Sequence, residues 1–75
     1  MPTFMFKAVK SSTDEPVKVH ITLGGVDRGF TSDRPNDYLT VEVGQSGTYS
    51  WYAKRNGSKV DSGDSTGGRI TVYVD

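Results

Sequence analysis

Four stretches of this chain, residues 17–23, 38–43, 49–54 and 69–74, alternate apolar and polar side chains with a period of two. That period belongs to an extended strand with one face on a core and one in water. In the first stretch Val17, Val19, Ile21 and Leu23 share one side, while Lys18, His20 and Thr22 share the other. No window carries apolar residues at helical spacing, and nine glycines and three prolines interrupt the chain. The expected fold class is therefore all-β, a small antiparallel sandwich or barrel of about six to seven short strands.

Turn chemistry falls between these runs. Asn56-Gly57 supplies the two positive φ values of a type I′ hairpin between residues 51–55 and 58–61. Gly24-Gly25 closes a second hairpin onto a return strand around residues 26–31, and residues 32–37, with Pro35 among Asp and Asn, read as a loop. Residues 44–47 read as another turn, and residues 61–68, rich in Gly, Ser and Asp, as the longest flexible stretch. The segment Thr3–Lys10 is apolar on both faces: Phe4, Phe6 and Ala8 on one, Met5 and Val9 on the other. Such a strand is central in its sheet or covered by another subunit, which makes Met5 and Val9 candidate interface residues. The expected inward set is Phe4, Phe6, Val17, Val19, Ile21, Leu23, Phe30, Leu39, Val41, Val43, Tyr49, Trp51, Ala53, Val60, Ile70, Val72 and Val74.

At 75 residues the chain is expected to be a single domain spanning 1–75, with only about 60% of its unfolded surface available for burial. A domain this small gains from disulfides, metals or oligomerisation. It has no cysteine, which removes disulfides, thiolate metal sites and thiol catalysis, and its one histidine excludes multi-histidine sites. Nine basic and nine acidic residues cancel and are scattered, so no basic stripe faces a nucleic acid. No run approaches the roughly 18 apolar residues of a membrane span. The opening Met1-Pro2-Thr3-Phe4 has no basic or apolar leader. A cytoplasmic protein is the expectation, a secreted one if the chain is an excised module.

Motifs for chemistry are weak. Gly63-Asp64-Ser65-Thr66-Gly67-Gly68 superficially resembles the nucleophile segment of trypsin-like proteases, but Thr66 interrupts it and His20 has no evident route to Ser65. The loop aspartates Asp14, Asp33, Asp37, Asp61 and Asp64 lack calcium-loop spacing. The glycines form no phosphate cradle, and Asn56-Gly57-Ser58 matches a glycosylation sequon that its turn role already explains. No catalytic residue, metal site or cofactor is expected.

What the pattern does offer is a polar face bearing Tyr38, Tyr52 and Tyr73 with Lys54 and Arg69. Tyrosine and arginine give large, rigid contact area to a protein partner, and tyrosine rings stack on sugars. The expected function is thus a non-enzymatic binding module, engaging a protein or a copy of itself through an exposed sheet face or the N-terminal strand. A carbohydrate-binding module, or a small inhibitor or virion-type protein presenting residues 32–37 or 61–68, is the alternative.

From Leu39 to Val74 the order is alternating strand, Gly47-Thr48-Tyr49, aromatic strand, Asn-Gly turn, glycine-rich loop and closing strand. This resembles the last strands of bacterial pre-peptidase C-terminal and polycystic-kidney-disease-like (PKD-like) sandwich modules. The resemblance implies a sandwich fold and carries over no ligand residues, because the family's acidic metal pattern is not matched.

Overall fold

The structure, a computed structural model, describes residues 2–74; Met1 and Asp75, the ends of the expected 1–75 domain, lie outside the described residues. Seven strands follow one another: β1 (Thr3–Lys10), β2 (His20–Leu23), β3 (Val26–Phe30), β4 (Leu39–Glu42), β5 (Tyr49–Arg55), β6 (Ser58–Ser65) and β7 (Gly68–Val74). They form two sheets, ordered β4-β1-β7 and β3-β2-β5-β6. Strand β1 is the centre of the three-stranded sheet, antiparallel to β4 and parallel to β7, in an otherwise antiparallel sandwich.

The period of two builds the core. Phe4, Phe6 and Ala8 of β1 are fully buried, as are Ile21 and Leu23 of β2, Ala53 of β5 and Val72 of β7. Rings join the sheets: Phe6 meets Trp51 edge-on at 5.8 Å between centroids, and Phe4 meets Tyr49 at 5.6 Å. The Tyr49 hydroxyl donates to the Gln45 carbonyl at 2.8 Å, a tyrosine corner that pins the turn ahead of β5. Gly24, at φ +62°, opens the β2–β3 hairpin beneath that ring; a Cβ there would lie 3.0 Å from Tyr49 Cδ2.

The run 17–23 does not make one strand. Pro16 bridges to Val9 and the Val17 N–H donates to the Ala8 carbonyl at 3.0 Å, so this segment starts against the first sheet. It then crosses to become β2 of the second sheet. Its alternation survives the crossing, with Val19, Ile21 and Leu23 buried and Val17 half-buried. Thr31 stabilises the crossing point. Its hydroxyl accepts from the Val19 N–H and donates to the Val17 carbonyl, both at 2.9 Å, and its own N–H donates to the Val19 carbonyl at 2.9 Å.

Two residues of the expected core face outward. Phe30 is 62% exposed because the β2–β3 register shifts between Ile21 and Thr22, leaving Arg28 unpaired and reversing the alternation beyond it. Phe30 consequently pairs with His20, an outward residue, and lies 5.0 Å from its ring. Val60, 37% exposed, is the unpaired residue of a second bulge, on edge strand β6.

The stretch 61–68 is not a long loop. Strand β6 runs through it to Ser65, paired with β5 as far as Tyr49↔Ser65. Gly63 allows this, since its backbone lies against the Trp51 indole, where a Cβ would come within 3.2 Å of Cζ2.

Candidate functional site

The five residues expected to share one polar face divide between the two outer faces of the sandwich. Tyr38, Arg69 and Tyr73 belong to the three-stranded sheet, and Tyr52 and Lys54 to the four-stranded one. Alternation distinguishes inside from outside within a strand, but it carries no information on which sheet the strand joins.

On the three-stranded sheet, β1 and β7 run in register with Met5 beside Arg69, Lys7 beside Thr71 and Val9 beside Tyr73. Tyr38 enters from the residue before β4, opposite this pair of strands. Its ring receives two cations, Lys7 Nζ at 5.8 Å and Arg69 Cζ at 5.7 Å from the centroid. Among the described residues neither cation has a carboxylate partner. Tyr73 stands 58% exposed toward the edge of the same sheet. Met5 is half-buried on this face, and Val9 is covered within the chain at 5% exposure. Lys7 is the member that sequence reasoning missed. Its signal was its position two residues from both Met5 and Val9, which places it on their side of β1.

On the opposite sheet Tyr52 pairs with Thr22 on one side and Ser62 on the other, with Lys54 Nζ 5.5 Å from its ring centroid. An open groove of about 340 Å³ runs beside it, lined by Ser50, Tyr52, Lys59, Ser62 and Asp64 together with Trp51 and Gly63. At the far edge His20 Nε2 contacts Asp27 Oδ1 at 2.5 Å, and the same oxygen accepts the Gly29 N–H at 2.9 Å. The Gly29 amide, and then the His20 hydrogen bond, hold the Asp27 carboxyl below its ordinary range.

The protease-like segment has a structural role. Ser65 Oγ accepts the Gly67 N–H and donates to the Gly67 carbonyl, both at 3.1 Å, which closes the β6–β7 turn. Among the described residues no group of three or more His, Cys, Asp or Glu is placed to hold a metal ion, and no helix is long and apolar enough to cross a membrane. No protein-family model matches the chain, and neither the curated proteins nor the solved structures compared with it contain a match.

Proposed function

We propose that this domain is a non-enzymatic interaction module that docks a protein partner on the outer face of its three-stranded sheet. The observation that carries the reading is the Tyr38 ring with Lys7 Nζ at 5.8 Å and Arg69 Cζ at 5.7 Å from its centroid, on the sheet that also bears the exposed Tyr73. Rigid tyrosines and arginine are the side chains that dominate binding energy in protein interfaces. Two cations with no carboxylate partner among the described residues favour an acidic surface on the partner. The Tyr49 corner supports the likeness in fold to pre-peptidase C-terminal and PKD-like modules, and the absence of cysteine is compatible with a cytoplasmic setting.

The test is partner capture by wild-type protein and by Tyr38→Ala and Arg69→Ala. Both substitutions fall on the sheet's outer side, so each should shift the melting temperature little while weakening capture at least tenfold. Unchanged capture by both would defeat the reading.

The groove beside Tyr52 favours a second reading, a glycan site in which the ring stacks on a sugar and Ser50, Ser62 and Asp64 bond its hydroxyls. Amide shifts at these residues on titration with oligosaccharides, abolished by Tyr52→Ala, would select it; a flat titration removes it.

A further inference from the structure

A sandwich of two open sheets has four edges, and three of these are guarded. Strand β3 is bulged at Arg28, β6 is bulged at Val60 with Lys59 alongside, and β4 is only four residues long and ends in Glu42. Bulges, charges and shortness are the devices that stop an edge from pairing with another chain. Strand β7 is neither short nor bulged, and its one charge is Arg69 near its start. Its seven residues, Gly-Arg-Ile-Thr-Val-Tyr-Val, run without a bulge or proline and are rich in β-branched and aromatic side chains.

The direction of its free backbone groups follows from one bond. The Ser11 N–H, continuing from β1, donates to the Val74 carbonyl at 2.7 Å. Alternate residues of a strand address opposite neighbours, so Gly68, Ile70, Val72 and Val74 turn toward β1. The N–H and C=O of Arg69, Thr71 and Tyr73 therefore point out from the sheet edge.

We propose that β7 is a self-pairing edge, and that two copies of this chain join by antiparallel β7–β7 pairing about a two-fold axis at Thr71. The proposal rests on reading the domain as an interaction module, and it names a partner for one edge of that module. A two-fold perpendicular to the sheet matches residues whose numbers sum to twice 71. Arg69 then faces Tyr73 of the second copy, Thr71 faces Thr71, and on the inner side Ile70 faces Val72. Each outward pair is of the hydrogen-bonded type and exchanges both of its N–H···O bonds. The edge is self-complementary in this register: a guanidinium meets a tyrosine ring twice, and the half-buried Ile70 gains a β-branched neighbour. An unrelated strand would need to supply both features, whereas a second copy already carries them.

Sedimentation velocity over a concentration series tests this with the intact chain and two variants, Thr71→Lys and Thr71→Glu. Thr71 is exposed, so both variants should retain the wild-type circular dichroism spectrum. The wild type should dimerise. Each variant alone places like charges against each other at the axis and should weaken the dimer about tenfold or more. An equimolar mixture of the two places opposite charges there and should restore it. A wild type that stays monomeric up to millimolar concentration overturns the proposal, as does a dimer indifferent to either variant, or a mixture that stays monomeric. Arg69 and Tyr73 take part in both readings, so Tyr38→Ala, which lies outside the β7 pairing, separates them: it should abolish partner capture and leave the dimer intact, whereas loss of the dimer with capture retained defeats the edge pairing alone.

Discussion

Replacing Thr31 by valine changes almost no volume and removes one hydroxyl, yet that hydroxyl satisfies two backbone groups where the chain crosses between sheets. It accepts the N–H of the fully buried Val19 and donates to the carbonyl of the half-buried Val17, each at 2.9 Å. The Val19 amide would be left without this acceptor, at a cost of about 1–3 kcal/mol. The Val17 carbonyl lies nearer to water and recovers part of its loss, so the sum is placed at about 2–3 kcal/mol. A 75-residue domain has about 4–11 kcal/mol of stability in total. The substitution thus removes a large share of it, and at about 4–8 °C per kcal/mol the melting temperature should fall by roughly 8–24 °C. Urea denaturation with the denaturant slope fitted freely is the assay. Thr31→Ser is the control, because it retains both hydrogen bonds and loses a methyl group at about 1 kcal/mol. If Thr31→Val proves as stable as wild type, or more stable than Thr31→Ser, the hydroxyl is not what holds the crossing and the reasoning fails.

Gly63→Ala pushes a methyl group to 3.2 Å from the Trp51 indole, whose position is fixed by Phe6, and should destabilise the domain by about 1–3 kcal/mol with a shift in tryptophan emission. Normal stability and emission would show that the indole yields freely. Gly57→Ala places an L side chain at φ +80° in the β5–β6 turn and should cost about 1 kcal/mol or more in a thermal melt. The lowered pKa of Asp27 means that its contribution is present above the unfolded value of 3.8 and is lost as pH falls through the folded value. Wild type should accordingly exceed Asp27→Asn in melting temperature at neutral pH, and the gap should close in acid below 3.8; a gap that is constant with pH refutes the linkage.

The extent to which the fold could be read in advance depended on how local each signal was. The Asn56-Gly57 and Gly24-Gly25 hairpins were legible because positive φ at two successive residues is a local demand, and all four residues adopt it at 53°, 80°, 62° and 78°. The two-sided apolar character of Thr3–Lys10 was legible as a strand either central or covered by another subunit, and β1 is the central strand of its sheet. Phe30 was misplaced because a single unpaired residue, Arg28, inverts every later side chain of β3, and nothing in the spacing of apolar residues reveals a bulge. Residues 61–65 were read as loop from composition, whereas their pairing with β5 is a tertiary fact. Serine, glycine and aspartate are poor strand formers, and Gly63 is in the strand because Trp51 occupies the space a side chain would need.

The candidate site was legible only in part, for a related reason. A period of two sorts side chains into inner and outer, and by that measure Tyr38, Tyr52, Tyr73, Lys54 and Arg69 were all assigned outward. Which outer face each belongs to is decided by pairings distant in sequence, above all the parallel alignment of β1 with β7 that brings Lys7 and Arg69 to the same ring. That alignment joins the two ends of the chain, so the Tyr38 cluster can exist only once the whole sandwich has closed. The β5–β6 pair around Tyr52 depends on a single hairpin. A partner that requires the Tyr38 face should therefore lose affinity on any destabilisation that frees β7 from β1, before the Tyr52 groove is disturbed. Amide exchange on the intact domain reads this directly, since the β7 amides bonded to β1 should open at lower free energy than those bonding β5 to β6. The reverse order would mean that the Tyr38 face is the more durable of the two.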